Sequence, residues 1–344
     1  MNRKYLDKAF FEHNLDVIIS FSYQTRFWFT KITASDGILF IEKDKAFLFV
    51  DGRYIEKAEK DAQNCEVFLS IKANLDDFFQ KKSYKKIGVE TEYLTIEQFD
   101  KIKNWFPNCE FVKLQAQLFR ILKTENEIAN IEKAVRISIN AYNKIFPKIT
   151  PGMTEKDIDI ILNHQMRLLG AEKESFDSII ATGANSAMPH WRASSAKILD
   201  NDLLKIDFGA LFDGYCADIT RTSYLGKISA KKLEILEIVK KAAEIGRKKV
   251  APGIKTSEID RACRDFITEK GYGKYFVHST GHGVGIDIHE LPVVSLNSQT
   301  ILEPGMVITV EPGIYIPGLG GARIEDVVLV TESGFRTLSR NEKS

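Results

Sequence analysis

The sequence predicts an α/β (α+β) protein of two domains, and two patterns carry this prediction. In the first part of the chain, short apolar runs alternate with helix-like stretches, which is typical of a mixed sheet covered by helices. Further on, PGMTEKDID (151–159) returns as PGIKTSEID (252–260), and LLKIDFGA (203–210) resembles MVITVEPG (306–313). Two echoes in the same order indicate a duplicated α/β unit. In a duplicated unit with pseudo-twofold symmetry, we expect the functional site between the two halves.

The first domain begins with a helix-like stretch, Lys4 to His13, and a second one runs from Tyr54 to Ala62. Six apolar runs between and after them suit strands, because polar residues bound each run. The residues EKDK between two of these runs suit a short hairpin turn. The six runs are DVIISF, GILFIE (37–42), KAFLFVD (45–51), EVFLSI, KKIGVE and EFVKL.

The second domain opens on a capping box. In TENE, Thr124 is followed three residues later by Glu127, the pairing that satisfies a helix N-terminus. Apolar residues then recur three or four positions apart, as they do on one face of a helix. These residues are Ile128, Ile131, Val135, Ile139 and Tyr142. We place the domain boundary just before this helix, with one domain at 1–122 and the other at 123–344.

The composition argues against several classes of protein. The net charge of +1 gives no electrostatic reason to expect nucleic acid or an anionic membrane as a partner. No apolar run is long enough to span a bilayer, and the N-terminus lacks the apolar core of a signal peptide. The four cysteines lie far apart without a CxxC pair, which fits neither a thiolate metal site nor a disulfide framework. We expect a cytoplasmic protein.

Two aspartates flank a hairpin signal in LLKIDFGALFDGYCADITRT. Asp207 closes an apolar run that suits a buried strand, Asp213-Gly214 suits the turn, and YCADITRT suits the returning strand. Folding at this turn brings Asp207 and Asp218 nearly opposite each other, with Cβ atoms roughly 5 Å apart. Two ionised carboxylates this close repel each other unless a cation neutralises them, and a shared divalent cation would do so. The alternative is a strand-end Asp and a turn-capping Asp without any metal.

The second half of the duplication carries acids at matching places. Glu311 ends MVITV, a buried-strand sequence in which an unpaired acid is costly. ARIEDVVLV is predicted to form one strand, in which Arg323, Glu325 and Val327 share a face and Asp326 points the other way. Glu325 is therefore the better candidate for a common site with Glu311.

Three of the six histidines lie in FVHSTGHGVGIDIHE (276–290). His278 and His282 are four residues apart, as in a zinc-binding helix, but glycines surround His282, and each costs roughly 1 kcal/mol inside a helix. We therefore expect an extended or turning segment in which glycine lets the backbone pass close to a metal or ligand. His282 is the candidate ligand, and His278 and His289 are candidates for hydrogen bonding or proton transfer. His190, in the loop-like segment TGANSAMPHW, is a further candidate.

Together these residues resemble metallopeptidase family M24, whose catalytic domain has the pita-bread fold. The family's ligand order is Asp, Asp, His, Glu, Glu, and it corresponds to the following residues in this chain: Asp207, Asp218, His282, Glu311 and Glu325. The N-terminal part is similar to the creatinase-type N-terminal domain, notably in TRFWFTKITASDGILFI and FVDGRYIEKA. The resemblance thus predicts a creatinase-like domain at 1–122 and a pita-bread catalytic domain at 123–344.

The resemblance also implies a cofactor and roles for individual residues. It implies two divalent metal ions per subunit, with manganese as the first expectation and cobalt, zinc or iron as alternatives. A hydroxide bridging the ions would attack the scissile carbonyl, and Glu311 would carry the proton to the leaving nitrogen. His190 and His278 would lie beside the substrate, His289 would stabilise the tetrahedral intermediate, and Arg323 would hold the ligand network. Thr220 would hydrogen-bond near the metals. A homodimer is the expected assembly.

Within the family, the substrate is a proline-containing peptide whose length is the open question. Many dipeptidases (prolidases) carry an Arg shortly after the second catalytic His, whereas this chain has HELPVVS, with Val293 and Val294. This departure favours an Xaa-Pro aminopeptidase over an Xaa-Pro dipeptidase. Trp191, directly after His190, is also a less usual residue and affects the shape of the substrate pocket. A non-catalytic peptide-binding protein on the same fold is the alternative outside the enzymes.

Overall fold

Short, continuous apolar runs in the first part of the chain form the strands of a sheet. A computed structural model describes residues 1–340, in which one unit spans Met1–Arg120 and a second begins at Ile121. The first unit contains one six-stranded sheet. Its strands are β1 (Val17–Ser20), β2 (Ile38–Ile41), β3 (Ala46–Val50), β4 (Glu66–Leu69), β5 (Lys86–Glu90) and β6 (Glu110–Leu114). Its helices are α1 (Lys4–His13), α2 (Tyr23–Thr30), α3 (Ile55–Asp61), α4 (Lys72–Gln80) and α5 (Ile96–Trp105).

The sheet of the first unit is mixed, as predicted. Its strand order is β4-β3-β2-β1-β5-β6. Strands β1, β2 and β3 pair antiparallel, whereas β3–β4, β1–β5 and β5–β6 pair in parallel. Its core is rich in aromatic rings, and Phe40, Phe49 and Phe78 contact one another there.

The second unit has four α-helices and thirteen short strands in its described part. The helices are α6 (Glu125–Ile145), α7 (Glu155–Leu168), α8 (Ala230–Lys249) and α9 (Thr256–Glu269). The strands of its first half are β7 (Lys173–Glu174), β8 (Ile179–Thr182), β9 (Leu203–Phe208), β10 (Ala210–Phe212), β11 (Tyr215–Cys216) and β12 (Ile219–Tyr224). The strands of its second half are β13 (Gly281–Gly283), β14 (Glu290–Val294), β15 (Val307–Val310), β16 (Gly313–Ile316), β17 (Gly320–Arg323), β18 (Asp326–Thr331) and β19 (Gly334–Thr337).

Two sheets of the second unit carry the site. One has the order β12-β9-β8 and the other β14-β13-β15-β18-β19. The capping box predicted for α6 is present, because the Thr124 side chain accepts from the Glu127 amide and the Glu127 carboxylate accepts from the Thr124 amide. In the described part of the chain, no helix is both long and apolar enough to cross a membrane.

The predicted duplication is visible in the backbone. Each copy of the PG motif leads into a helix, α7 or α9. Each copy also forms an isolated antiparallel bridge to the chain that precedes a central strand: Thr154 with Lys197, and Lys255 with Ile301. The amides of Gly152 and Gly253 donate to carbonyls in the same two segments. The two halves therefore repeat one α/β arrangement, as in a pita-bread fold with internal pseudo-twofold symmetry.

One predicted strand is interrupted. ARIEDVVLV does not form a single strand, because β17 ends at Arg323 and β18 begins at Asp326. Arg323 pairs with Gly313, whereas Asp326 pairs with Val310, so the backbone changes partner strand between them. Glu325 lies at this change, and its amide donates to the Thr220 carbonyl. The prediction of one continuous strand was wrong, because local alternation does not show which strand each residue pairs with.

Candidate metal centre

The first two candidate ligands lie on the β9–β12 hairpin. The turn has positive φ angles at Asp213 (47°) and Gly214 (73°), as a tight hairpin turn requires. Asp207 lies within β9, and its partner across the ladder is Thr220 rather than Asp218. Asp218 precedes β12 by one residue, so the two aspartates are offset along the ladder. Both carboxylates are nevertheless buried on this hairpin.

The second half supplies the other three candidates. His282 lies in the middle of β13, an extended strand and not a helix, as predicted. Glu311 directly follows β15, which pairs with β13, and Glu325 lies between β17 and β18. The glycines act differently from our prediction. A Cβ atom on Gly281 would lie 2.0 Å from the Thr309 carbonyl oxygen, so glycine permits close approach of a neighbouring strand rather than of a metal.

All five candidate ligands converge from both halves of the duplication. The His282 Nε2 atom lies 3.5 Å from Asp218 Oδ2 and 3.2 Å from Glu311 Oε1. Ligand atoms of Asp207, Asp218 and Glu325 all lie within 4.8 Å of one another, as do those of His282, Glu311 and Glu325. Asp218, His282 and His289 form a third such group. Glu325 belongs to two of these groups, which suits two neighbouring ions.

Arg323 connects the ligands to the surrounding structure. Its guanidinium donates to Asp207 Oδ2 at short range, to Thr220 Oγ1 at 2.9 Å and to the Tyr315 hydroxyl at 2.9 Å. Thr220 in turn donates to Glu325 Oε2 at 2.7 Å. One oxygen each of Asp207 and Glu325 is therefore held by the protein.

The remaining oxygens fit divalent cations. Asp207 Oδ1 and Glu325 Oε1 are buried and accept no hydrogen bond from residues 1–340, which is costly unless a cation binds them. The Nδ1 atom of His282 lies 3.0 Å from the Gly283 carbonyl. A carbonyl only accepts, so Nδ1 carries the proton and the Nε2 lone pair faces the carboxylates, which is the usual arrangement of a histidine ligand.

The carboxylates perturb one another as expected for a site built around cations. Burial, with the nearby charges of Glu325, Asp207 and Glu311, raises the pKa of Asp218 well above its ordinary value. Burial and the charges of Glu311 and Asp207 likewise raise the pKa of Glu325. Burial also acts to raise the pKa of Glu311, but the neighbouring His282, His278 and Arg323 outweigh it and lower that pKa to about 2. Without a cation, Asp218 and Glu325 therefore favour the protonated form, and a bound cation would favour the ionised form instead.

The other predicted histidines border the same cavity, which measures about 550 Å³. His289 packs edge-on against His282, with ring centroids 4.2 Å apart. His278 has both ring nitrogens engaged: Nδ1 lies 2.7 Å from the Ser279 carbonyl and Nε2 lies 2.8 Å from the Tyr315 hydroxyl. Burial lowers the pKa of both His278 and His289, which favours the neutral ring. His190 lines the cavity from its loop.

Sequence reasoning missed three residues that support the site. Tyr315 joins His278 to Arg323 through its hydroxyl. Thr309 donates to Glu311 Oε1 at 3.3 Å and accepts from the His282 amide. Glu155 holds the loop that carries His190. Nothing in the local sequence marks these residues, because their partners are distant in the chain.

The cavity suits a small ligand. Its volume falls within the roughly 300–1,000 Å³ typical of small-molecule sites. Apolar side chains of Phe176, Ile179 and Val293 line it together with the candidate ligands. A larger cavity of about 860 Å³ lies around Arg221 and Arg247, but it is lined by none of the five candidate ligands. The smaller cavity therefore holds the chemistry.

Comparisons with known proteins find matches to both parts of the chain. Residues 129–332 match the model "Metallopeptidase family M24", and residues 3–121 match "Creatinase/Prolidase N-terminal domain". The chain is 40% identical to an Xaa-Pro dipeptidase of Pyrococcus furiosus over 89% of this chain and 88% of that protein. It is 40% identical to a putative Xaa-Pro aminopeptidase of Mycoplasma genitalium, covering 95% and 93%. The solved structure of an Xaa-Pro dipeptidase from Bacillus anthracis superposes with a TM-score of 0.93 at 39% identity, covering 98% and 97%.

Proposed function

Because this chain belongs to metallopeptidase family M24, we propose that it is a metal-dependent exopeptidase that releases the N-terminal residue from peptides with proline in the second position. The observation that carries this proposal is the convergence of four carboxylates and one imidazole in a cavity of peptide size. Relatives named Xaa-Pro aminopeptidase and Xaa-Pro dipeptidase both support it. The sequence departure at Val293 favours the aminopeptidase, and the dipeptidase is the second candidate.

Five side chains would hold the cofactor: Asp207, Asp218, His282, Glu311 and Glu325. When bound, a pair of divalent ions would polarise the scissile carbonyl and lower the pKa of the attacking water. Oxygen-rich ligands with one imidazole suit manganese, which we take as the first candidate, with cobalt, zinc and iron as alternatives. Arg323 and Thr220 each fix one oxygen of a ligand carboxylate, which leaves the other oxygen directed at the ion.

The chain's own groups would then guide the substrate and the proton. We assign Glu311 to accept the proton of the attacking water and deliver it to the proline nitrogen. His289 and His190 border the cavity and make no hydrogen bond within residues 1–340, so their ring nitrogens are available to the substrate and to the tetrahedral intermediate. His278 would contact the substrate from a ring that Tyr315 and Ser279 hold in place.

Metal content and turnover together test this function. The protein is stripped with a chelator, reloaded with Mn²⁺, Co²⁺, Zn²⁺ or Fe²⁺, and assayed on Ala-Pro, Ala-Pro-Ala and, as a control without proline, Ala-Ala. We expect metal-dependent release of alanine from the proline peptides. A fully loaded protein that binds these peptides without cleaving them would support the non-catalytic alternative and contradict the proposal.

Three further expectations belong to this proposal. We propose that the catalytic domain spans 123–344 and the creatinase-like domain 1–122. We also propose a homodimer and a cytoplasmic location, which the family resemblance implies. Size-exclusion chromatography with light scattering would test the homodimer, and cell fractionation would test the cytoplasmic location.

A further inference from the structure

The loop between β8 and β9 is held by two buried charged side chains. Glu155, fully buried at the start of α7, accepts five hydrogen bonds from it. Its donors are the Thr182 amide, the Asn185 side chain, the Trp191 indole, and the amide and hydroxyl of Ser194, at 2.7–3.0 Å. The loop is therefore fixed on both sides of residue 192.

Lys205, fully buried on β9, holds the loop from the other direction. Its ammonium donates to the carbonyl oxygens of Ser186, Met188 and Pro189, just before His190. Buried charges that make this many hydrogen bonds impose one loop conformation. The backbone from which Trp191 and Arg192 extend is thereby given a defined position, and the Trp191 ring is held as well.

Arg192 is the one guanidinium of the cavity lining without a partner in residues 1–340. The lining contains two arginines and no lysine. Arg323 is buried and donates to Asp207, Thr220 and Tyr315. Arg192 is exposed, and no hydrogen bond or ion pair holds it within the described part of the chain. Asp177 borders the same cavity without forming an ion pair with it.

A free guanidinium beside a peptide-binding cavity suits the C-terminal carboxylate of a peptide substrate. Carboxylates bind arginine through two parallel hydrogen bonds, which adds both energy and orientation. The substrate's N-terminal end must lie at the metal ligands, so its C-terminal end extends away from them along the cavity. The Val293 side chain, which also lines the cavity, offers no charge for that end.

We propose that Arg192 binds the C-terminal carboxylate of a short Xaa-Pro peptide and so gives this enzyme a preference for substrates with a free acid close to the proline. This inference rests on the proposed exopeptidase function and specifies its substrate class: it favours the second candidate, the dipeptidase, because Arg192 supplies the charge that Val293 does not. Arg192 is a specificity residue here: it contacts the substrate but takes no part in bond cleavage. Its position on a loop held by Glu155 and Lys205 restricts the distance at which a carboxylate can be accepted.

The test compares Ala-Pro with Ala-Pro-amide, which differ only in the terminal charge, on the metal-loaded enzyme. We expect wild type to show a kcat/KM at least about tenfold higher for the acid. Arg192→Gln should lose about tenfold on the acid, mainly through KM, and stay within about twofold on the amide. Arg192→Lys keeps the charge and should retain part of the preference for the acid. Arg261→Gln, an exposed arginine on α9 outside the cavity, is the matched control and should behave as wild type.

Two results would overturn the inference. One is an equal kcat/KM of wild type for acid and amide. The other is an Arg192→Gln variant that keeps the acid preference, as expected if the acidic side chains of the neighbouring cavity (Asp159, Glu174 and Asp177) engage Arg192 in solution. Failure of the proposed function looks different, because wild type would then cleave neither peptide. Comparing Ala-Pro with Ala-Pro-Ala then shows how far from the proline the acid is accepted.

Discussion

At the residue scale, Arg323 has the largest set of contacts in the site. It binds Asp207, Thr220, Tyr315 and the Pro189 carbonyl, so one planar group holds a candidate ligand together with residues of three other segments. Burial alone would lower the pKa of Arg323, but Tyr315, Asp207 and Glu311 raise it well above its ordinary value. The guanidinium thus stays charged among the carboxylates. Arg323 contributes to the site both through its positive charge and through the several hydrogen bonds that its planar guanidinium donates.

Arg323→Lys separates these two contributions. The variant keeps a positive charge but loses the planar fork, so Asp207 and Thr220 are no longer fixed together. We expect kcat/KM to fall roughly 10–100-fold with weaker metal binding, as is common when a partner of a ligand is replaced. Steady-state kinetics and metal titration measure this. Arg336→Lys, which changes a partly exposed arginine paired with Glu132, is the control. Wild-type kinetics in Arg323→Lys would contradict the assigned role.

Glu90 is a buried acid of the first unit and is not one of the candidate metal ligands. Burial raises the pKa of the Glu90 carboxyl, although hydroxyl groups and Arg120 oppose the rise. A raised folded-state pKa means that the folded protein binds this proton more tightly than the unfolded chain does. Its contribution to stability is therefore complete below the unfolded-state pKa and is lost as the pH rises through the folded-state value.

Glu90→Gln tests this pH dependence. As the pH rises above the ordinary pKa of a glutamate, the free energy of unfolding of wild type should decline relative to that of the variant, whose amide does not titrate. Urea unfolding at several pH values measures the difference. Glu97→Gln, at an exposed side chain, should instead give a curve parallel to that of wild type. Parallel curves for Glu90→Gln as well would disprove the raised pKa.

At the element scale, β13 places His282 only because its neighbours can approach closely. A Cβ atom would lie 2.0 Å from the Thr309 carbonyl oxygen at Gly281 and 2.2 Å from the Leu291 carbonyl oxygen at Gly283. The two glycines therefore allow β13 to fit between β15 and β14. The spacing of β13 and β15 in turn sets the 3.2 Å contact of His282 with Glu311.

Gly281→Ala should disturb both stability and the site. The added methyl group forces β13 away from β15, and overpacking of this kind costs ~1–3 kcal/mol. We expect a lower melting temperature and a lower metal affinity, measured by thermal unfolding and metal titration. Gly52→Ala, where a Cβ atom meets nothing within 4 Å, should change neither. Unchanged metal affinity in a destabilised Gly281→Ala protein would show that strand spacing does not control the site.

Some helices and strands could not be predicted from local sequence patterns. The helices α1, α3 and α6 follow from clear patterns, but α2 was not predicted. Six of its eight residues are buried, so its sequence, YQTRFWFT, shows no polar face from which a helical period could be read. ARIEDVVLV has the alternation of one strand, but its two parts pair with different strands. In both cases tertiary contacts override the local pattern.

At the scale of the whole molecule, the two halves of the duplication meet at the five candidate ligands. Asp207 and Asp218 come from the first half, and His282, Glu311 and Glu325 from the second. A cation bound by both sets links the halves directly. Because it binds the folded chain much better than the unfolded chain, it also stabilises the fold.

Metal loading should therefore raise the melting temperature. At a free metal concentration about 100 times the Kd, one site stabilises the folded state by ~2.7 kcal/mol. We expect Mn²⁺ added to chelator-treated wild type to raise the melting temperature and Asp218→Asn to lose most of that rise. Asp265→Asn, at an exposed acid on α9, should respond like wild type. An Asp218→Asn protein with the full metal-dependent rise would contradict the assignment of Asp218 as a ligand.

The sequence by itself determined the order and chemical identity of the candidate ligands, the duplication and the extended course of the segment around His282. These features are encoded in residue types and in local spacing, because glycine content and hydrophobic period act over a few residues. The two-residue turn at Asp213-Gly214 already implies that Thr220, and not Asp218, faces Asp207 across the ladder, as observed. Only the tertiary structure decided that Tyr315, Thr309 and Glu155 support the site. It also brought Arg192 to the cavity. Long-range hydrogen bonds depend on which distant segments pack together, and no local pattern in the chain specifies that.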